Sequence, residues 1–164
     1  MPTIALLNGH TFAGGLMTAF HHDYRVQNPT RGFLCLNELD FGVPLQPPMS
    51  SIFRQKLPPA AYRSLVLEAR RFPGPHALEA GIVDALGGLD EALALIKERG
   101  LATKAKTGVY GAMKAEMYRE SLGYLAGREE DERRMGVYME AEEERRSKGA
   151  EWVAGFKSEG KAKL

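Results

Sequence analysis

The segment "NGHTFAGGLM" (8–17) holds residues that could do chemistry through their backbone. Ala13-Gly14-Gly15 lies where an extended segment gives way to a predicted helix. The first turn of a helix has unpaired N–H groups and a partial positive charge, and glycine lets a ligand approach the backbone closely. Gly14 or Gly15 could therefore donate to an anion or to a developing oxyanion. The alternative is a purely structural turn, since glycine pairs commonly precede helices.

A carboxylate follows in "FLCLNELDFG" (33–42), where Glu38 ends an apolar, strand-like run and is flanked by Leu36, Leu39 and Phe41. A carboxylate in apolar surroundings binds a proton more tightly than one in water, which suits a base that must later return its proton. The alternative is that the Glu38 side chain points into solvent at the end of the strand.

Metal and thiol chemistry have little support in the pattern. The spacing of His10, His21 and His22 matches no zinc motif, so we predict no metal site. Cys35 is the single cysteine, which excludes an intramolecular disulfide. Because it lies inside an apolar run, we expect a buried, inert thiol.

Composition sets further limits on the function. The chain has 164 residues, 26% of them charged, and a formal net charge of +1. This balance gives no reason to expect a nucleic-acid partner. We also predict no membrane span, because no apolar run approaches the roughly 20 residues that a membrane helix needs. "MPTIALLNGH" lacks a basic leader and is typical of a strand rather than a signal peptide.

The elements that must position these residues follow from apolar periodicity, with strands first and helices after them. "TIALL" (3–7) predicts a fully buried strand, and three prolines make "GVPLQPPM" (42–49) a loop or extended linker. The other strand-like segments are 24–28, 32–38 and 82–86. The predicted helices are 14–23, 50–57, 60–70, 74–81, 89–100 and 107–125. Ser50 or Ser51 caps the second of these, and Asp90 caps the fifth, which Gly100 stops. The fourth has Pro75 near its start and Gly81 past its end.

The C-terminal segment is dense in charge and predicts a solvated helix. Opposite charges such as Glu130–Arg134 and Glu142–Arg146 lie one helical turn apart. The chain ends in Ala162-Lys163-Leu164, close to the small–basic–Leu peroxisomal signal. Alternatively, this tripeptide is part of an ordinary lysine-rich terminus with no targeting role.

Taken in order, "PTIALLNGHTFAGGLMTAFHHDYRV", "GFLCLNELDFGVPL" and "ARRFPGPHALEAGIVDAL" resemble the enoyl-CoA hydratase/isomerase (crotonase) superfamily. The resemblance runs from Pro2 to about Leu125, and "VYGAMKAEMYRE" looks like the peroxisomal Δ3,Δ2-enoyl-CoA isomerase branch. It implies an α/β, crotonase-like (ββα spiral) fold. In this family Gly14 matches the glycine whose N–H forms half of the oxyanion hole, and Glu38 matches the carboxylate that moves the proton.

The resemblance also implies which reaction to expect. Hydratases of the family carry a second glutamate three positions after the oxyanion glycine, where this chain has Met17. Moving a double bond from C3 to C2 needs no added water, so a single base is sufficient and an apolar Met17 favours it. We therefore expect Glu38 and Gly14 to be catalytic, and Gly15, Met17 and Leu39 to contact the substrate.

Family members have a substantial part before "PTIALLNGH", which supplies several strands and the other oxyanion donor. The resemblance thus implies the C-terminal portion of the fold: a truncated core (1–88), a helical region (89–127) that forms trimers in the family, and a charged helical tail (128–164) with the targeting tripeptide. The expected substrate is a fatty acyl-CoA in β-oxidation. Coenzyme A belongs to that substrate, and we expect no separate cofactor.

Two other functions stay open beside the isomerase. One is an enoyl-CoA hydratase-like biosynthetic enzyme, and the other is a non-catalytic, truncated crotonase remnant. The expected location is the peroxisome, reached through an import receptor that binds Ala162-Lys163-Leu164, with the cytoplasm as the alternative.

Overall fold

The computed structural model of the chain describes residues 1–158. It divides into two compact units, Met1–Leu125 and a second that begins at Ala126. Within the described residues, no helix combines the length and the apolar character needed to cross a membrane.

The strands of the first unit are short and all of their ladders are parallel. They are β1 (Ile4–Leu7), β2 (Thr11–Phe12), β3 (Tyr24–Gln27), β4 (Leu34–Cys35) and β5 (Ala85–Leu86), paired in the orders β1-β3-β5 and β2-β4. The α/β prediction is confirmed, with a small parallel sheet and mostly helices. The predicted strands at 32–38 and 82–86 were too long, since each keeps only two paired residues.

The expectation that β1 is fully buried was wrong. Ala5 and Leu7 face the core, whereas Leu6 is 37% exposed. Successive side chains of a strand point to opposite faces, so an unbroken apolar run does not by itself establish burial on both faces.

The helices that begin in the first unit are α1 (Gly14–His21), α2 (Glu38–Phe41), α3 (Pro47–Lys56), α4 (Pro59–Leu67), α5 (Gly74–Glu79), α6 (Leu89–Glu98), α7 (Leu101–Lys104), α8 (Tyr110–Met117) and α9 (Arg119–Ala126). The six predicted helical segments are helical in the predicted order, but the predicted helix 107–125 is divided at Tyr118 into α8 and α9. The predicted loop 42–49 ends where α3 begins, and α2 and α7 were not predicted. Gly81 and Gly100 have positive φ angles just past α5 and α6, as their predicted stop positions require.

Both predicted serine caps of α3 were wrong, because the helix begins at Pro47 and its cap position is Gln46. Proline lacks the N–H that the first helical turn leaves unpaired, so it suits that position. Asp90 is likewise inside α6 rather than at its cap, which is Gly88. The Glu91 carboxylate accepts the Gly88 N–H at 2.6 Å and so fixes this helix start.

The core lies between α1, α3 and the strands. Leu16, Phe20, Leu34 and Phe53 are fully buried, and the rings of Phe20 and Phe53 lie 4.5 Å apart between centroids. Large apolar side chains removed from water in this way supply most of the folding free energy. They also fix where α1 sits on the strands, and hence where its first turn lies.

A buried ion pair joins β3 to the segment before β5. The Arg25 guanidinium donates to the Ile82 carbonyl at 2.7 Å and lies 3.3 Å from the Asp84 carboxylate. Burial lowers the pKa of Arg25, an effect that Asp84 opposes. A buried charge needs such partners, which explains why these distant residues occur together.

The second unit consists of one helix in the described residues, α10 (Arg128–Ser158). The predicted charged helix is therefore present, with ion pairs one helical turn apart as expected. The partners of the two example pairs differ, because Glu130 pairs with Arg133 at 3.1 Å and Glu142 with Arg145 at 2.6 Å. The targeting tripeptide, Ala162-Lys163-Leu164, lies outside the described residues.

Candidate active site

The ladder between β2 and β4 brings the two predicted chemical segments to one edge of the structure. Phe12 is opposite Cys35, and the Ala13 N–H donates to the Cys35 carbonyl at 3.0 Å. Because the strands are parallel, the segments that follow them leave from the same edge. Gly14 therefore begins α1 beside the turn in which Glu38 begins α2.

The turn before α1 is strained and open. Ala13 has φ 47° and ψ −124°, a conformation that alanine rarely adopts. Gly14 is exposed, and a Cβ on it would meet nothing within 4 Å. Its N–H belongs to the first helical turn, whose donors have no acceptor within the helix. A ligand oxygen can thus reach this N–H. Gly15 is also exposed, with the Thr11 methyl 3.9 Å from its Cβ position.

Glu38 is half-buried, and its Oε2 atom is inaccessible to solvent with no hydrogen-bond partner in the part of the chain described. The Oδ1 atom of the preceding Asn37 is in the same situation. Buried polar atoms without partners are rare because each loses its hydration uncompensated. The Glu38 carboxylate therefore has hydrogen-bonding capacity that the described part of the chain leaves unused.

Glu38 opens into a cavity of about 290 Å³ with an almost entirely apolar wall. The lining residues are Leu36, Glu38, Leu39, Val43, Pro44, Leu45, Ser50, Val66 and Leu67. Of the residues predicted to form the site, the cavity brings together Glu38 and Leu39. Met17 is instead buried in the core cluster at 8% exposure.

Ser50 is a lining residue that sequence reasoning assigned to another role. Its hydroxyl oxygen lies 2.6 Å from the hydroxyl oxygen of Tyr62 on α4. The two residues are separated in sequence and belong to different helices, so no local pattern indicates this contact.

Cys35 is not among the residues that line this cavity. Its thiol is buried and donates to the Ala69 carbonyl at 3.1 Å, and burial raises its pKa. The predicted burial of the thiol is confirmed, and its inertness stays a prediction. Among residues 1–158, no group of three or more histidine, cysteine, aspartate or glutamate side chains is placed to hold a metal ion.

Comparisons with known proteins identify the family of the chain. A family model described as enoyl-CoA hydratase/isomerase matches residues 1–162. Enoyl-CoA delta isomerase 2, peroxisomal, of Arabidopsis thaliana is 36% identical over 131 residues, which cover 76% of this chain and 55% of that protein. Enoyl-CoA delta isomerase 3 of the same plant is 36% identical over 126 residues, which cover 73% of this chain and 53% of that protein. The chain thus spans about half the length of the curated relatives it matches.

Solved structures share the fold. An enoyl-CoA hydratase from Mycobacterium marinum aligns with a TM-score of 0.61 at 25% identity, covering 73% of this chain and 53% of that one. ThnE from S. clavuligerus aligns with a TM-score of 0.65 at 20% identity, covering 80% of this chain and 63% of that one.

Proposed function

Because this chain belongs to the enoyl-CoA hydratase/isomerase family, we propose that it is an enoyl-CoA delta isomerase. It shifts the C3 double bond of a fatty acyl-CoA to the trans-C2 position in β-oxidation. The observation that carries this proposal is the buried, unpartnered carboxylate oxygen of Glu38 in an apolar cavity. The names of relatives at 36% identity support the same reaction.

In the proposed mechanism, Glu38 takes a proton from C2 of the substrate and returns it to C4. In the first step the electrons of the C2–H bond form a C1–C2 double bond, and the thioester oxygen takes up the negative charge. In the second step the carbonyl is restored, the C1–C2 electrons form the new C2–C3 double bond, and the electrons of the old C3–C4 double bond form the C4–H bond. The exposed Gly14 N–H donates a hydrogen bond to that oxygen. Gly15 and Leu39 contact the substrate beside these groups. Coenzyme A is part of the substrate, and the reaction needs no separate cofactor.

An isomerase fits these residues better than a hydratase. Water addition needs polar groups that hold and deprotonate a water molecule. Position 17 carries a buried methionine rather than a second carboxylate, so it adds no such group. Most of the cavity wall beside Glu38, including Leu39 and Val43, is likewise apolar. An apolar wall offers few groups that could hold an attacking water, which favours return of the proton to carbon.

The test is turnover by the purified 164-residue chain of a 3-enoyl-CoA, with the 2-enoyl product measured by chromatography. We expect Glu38→Gln to abolish isomerisation while acyl-CoA binding is retained, because the amide cannot take up the proton. Asp40→Asn is the matched control, since Asp40 is an exposed carboxylate on the same short helix.

Full turnover by Glu38→Gln contradicts the mechanism. Formation of 3-hydroxyacyl-CoA by the wild-type chain supports the hydratase alternative. Acyl-CoA binding with no turnover supports the non-catalytic alternative.

We also propose that the chain forms a homotrimer in the peroxisome. Support for assembly comes from one apolar face of the helical region, where Val109, Met113 and Met117 are each more than half exposed. Support for the location comes from the peroxisomal relatives and from Ala162-Lys163-Leu164, which an import receptor would bind.

A further inference from the structure

The cavity beside Glu38 contains one polar side chain in addition to the carboxylate. Ser50 lies among leucine, valine and proline side chains on its wall. A hydrocarbon chain gains nothing from a hydroxyl at this position, and burying a hydroxyl without a partner costs free energy. The wall therefore contains a group that a plain fatty acyl chain does not require.

Ser50 is held in place by its neighbours. Its backbone N–H donates to the Gln46 carbonyl at 2.9 Å within the first turns of α3. Its hydroxyl lies 2.6 Å from that of Tyr62, which packs against the core from α4. Two helices thus fix the direction of this hydroxyl, as a specific binding group requires.

The hydrogen bond to Tyr62 leaves Ser50 with an unused hydrogen-bonding position. Either hydroxyl of the pair can be the donor. If Tyr62 donates, the O–H of Ser50 remains, and if Ser50 donates, a lone pair on its oxygen remains. A hydroxyl group on a ligand can satisfy either one, since it both donates and accepts.

We propose that Ser50, oriented by Tyr62, selects acyl groups that carry a hydroxyl along the chain over unsubstituted ones. This inference rests on the proposed function and specifies its substrate class. The rest of the cavity still accepts the hydrocarbon part of such a chain, so the selectivity comes from one hydrogen bond. One neutral hydrogen bond provides discrimination of about three- to tenfold.

The experiment measures binding by calorimetry of octanoyl-CoA and of the positional isomers of hydroxyoctanoyl-CoA. We expect the wild-type chain to bind at least one hydroxylated isomer about three- to tenfold more tightly than octanoyl-CoA. Ser50→Ala removes this preference, so that the hydroxylated and the unsubstituted esters bind this variant equally tightly. Tyr62→Phe reduces the preference, because the serine loses its orienting partner.

Ser64→Ala is the matched control. Ser64 also lies on α4 and makes a side-chain hydrogen bond, to Glu68 at 3.1 Å, but it does not line the cavity of Glu38. We expect this variant to keep the wild-type preference. A thermal unfolding curve for each variant shows that it is folded.

Equal binding of all the esters by the wild-type chain overturns the inference while leaving the proposed function intact. So does an equal loss of affinity for every ester in Ser50→Ala, which indicates a purely structural hydroxyl. Absence of any acyl-CoA binding overturns the proposed function and this inference together.

Discussion

Replacing Ala13 with glycine tests whether the turn before α1 is strained. Alanine to glycine changes normally destabilise a protein, because glycine has more conformational freedom in the unfolded chain. Ala13 has φ 47° and ψ −124°, where its Cβ is crowded by the backbone. Glycine adopts this conformation without that crowding. We therefore expect Ala13→Gly to stabilise the folded chain.

The magnitude follows from two opposing effects. A non-glycine residue held in a sparsely populated backbone region costs about 1–3 kcal/mol, which the substitution removes. The added freedom of the unfolded chain costs about 0.4–1 kcal/mol. The net change is a gain of about 1 kcal/mol in the free energy of unfolding. For a chain of this length that raises the Tm by roughly 2–4 °C.

The assay compares thermal and urea unfolding of Ala13→Gly with those of Ala112→Gly. Ala112 is exposed within α8, where glycine lowers stability by about 0.5–1 kcal/mol. The two variants should shift the Tm in opposite directions. If Ala13→Gly lowers the Tm as much as Ala112→Gly does, the turn holds no strain and the reasoning is refuted.

The same variant has a catalytic readout. If strain at position 13 holds the Gly14 N–H in one direction, glycine lets that donor move. We expect a lower kcat with little change in KM, since the lost precision affects the transition state more than binding. An unchanged kcat in the stabilised variant shows that the donor does not depend on the strained turn.

Two further predictions concern the donor itself and the response to pH. Gly14→Pro removes the N–H at the first helical position. It is made together with Ala13→Gly, because a Cβ on residue 13 in this backbone conformation would clash with the proline ring. We expect its kcat to be about 10²–10³ lower than that of Gly14→Ala in the same background, which keeps the N–H, and equal kcat values in the two variants argue against oxyanion binding by this group. Burial, and then the charge of Arg25, lower the pKa of Lys56 from its ordinary 10.5 to about 8. Between these pH values Lys56 is protonated in the unfolded chain and largely deprotonated in the folded one. The free energy of unfolding therefore rises with pH. Once solvent screening is allowed for, we expect this rise to be about 1 kcal/mol. The measurement is the free energy of unfolding in urea of the wild-type chain and of Lys56→Met, from about pH 8 to about pH 10. If the difference between the two chains is constant over this range, the lowered pKa of Lys56 is contradicted.

The sequence predicted those features of the fold that depend on local backbone chemistry. Gly81 and Gly100 end their helices with positive φ angles, as glycine alone does at little cost. The start of α1 was likewise predicted from the glycine pair that follows Ala13. In each case the signal is carried by residues adjacent in the chain.

Features that depend on competition between signals were predicted less well. Ser50 is a good cap residue, but Pro47 opens the helix earlier and leaves Ser50 inside it. The hydrogen bond from Ser50 to Tyr62 then depends on the packing of α3 against α4, which neither segment encodes alone. Met17 was expected to contact the substrate, and the helix instead directs it into the core.

The position of the candidate site depends more on the core than on the sheet that carries it. The ladder between β2 and β4 pairs only two residues of each strand, and so short a ladder has little stability by itself. Beneath it lie Leu16, Leu34 and Leu36, each at most 1% exposed. These side chains belong to one core cluster together with Phe20 of α1 and Phe53 of α3, and this packing holds the short ladder in place. The same packing keeps the segments of Gly14 and Glu38 at one edge, so the apolar run "FLCL" indicated where the candidate carboxylate lies although it misjudged the length of the strand.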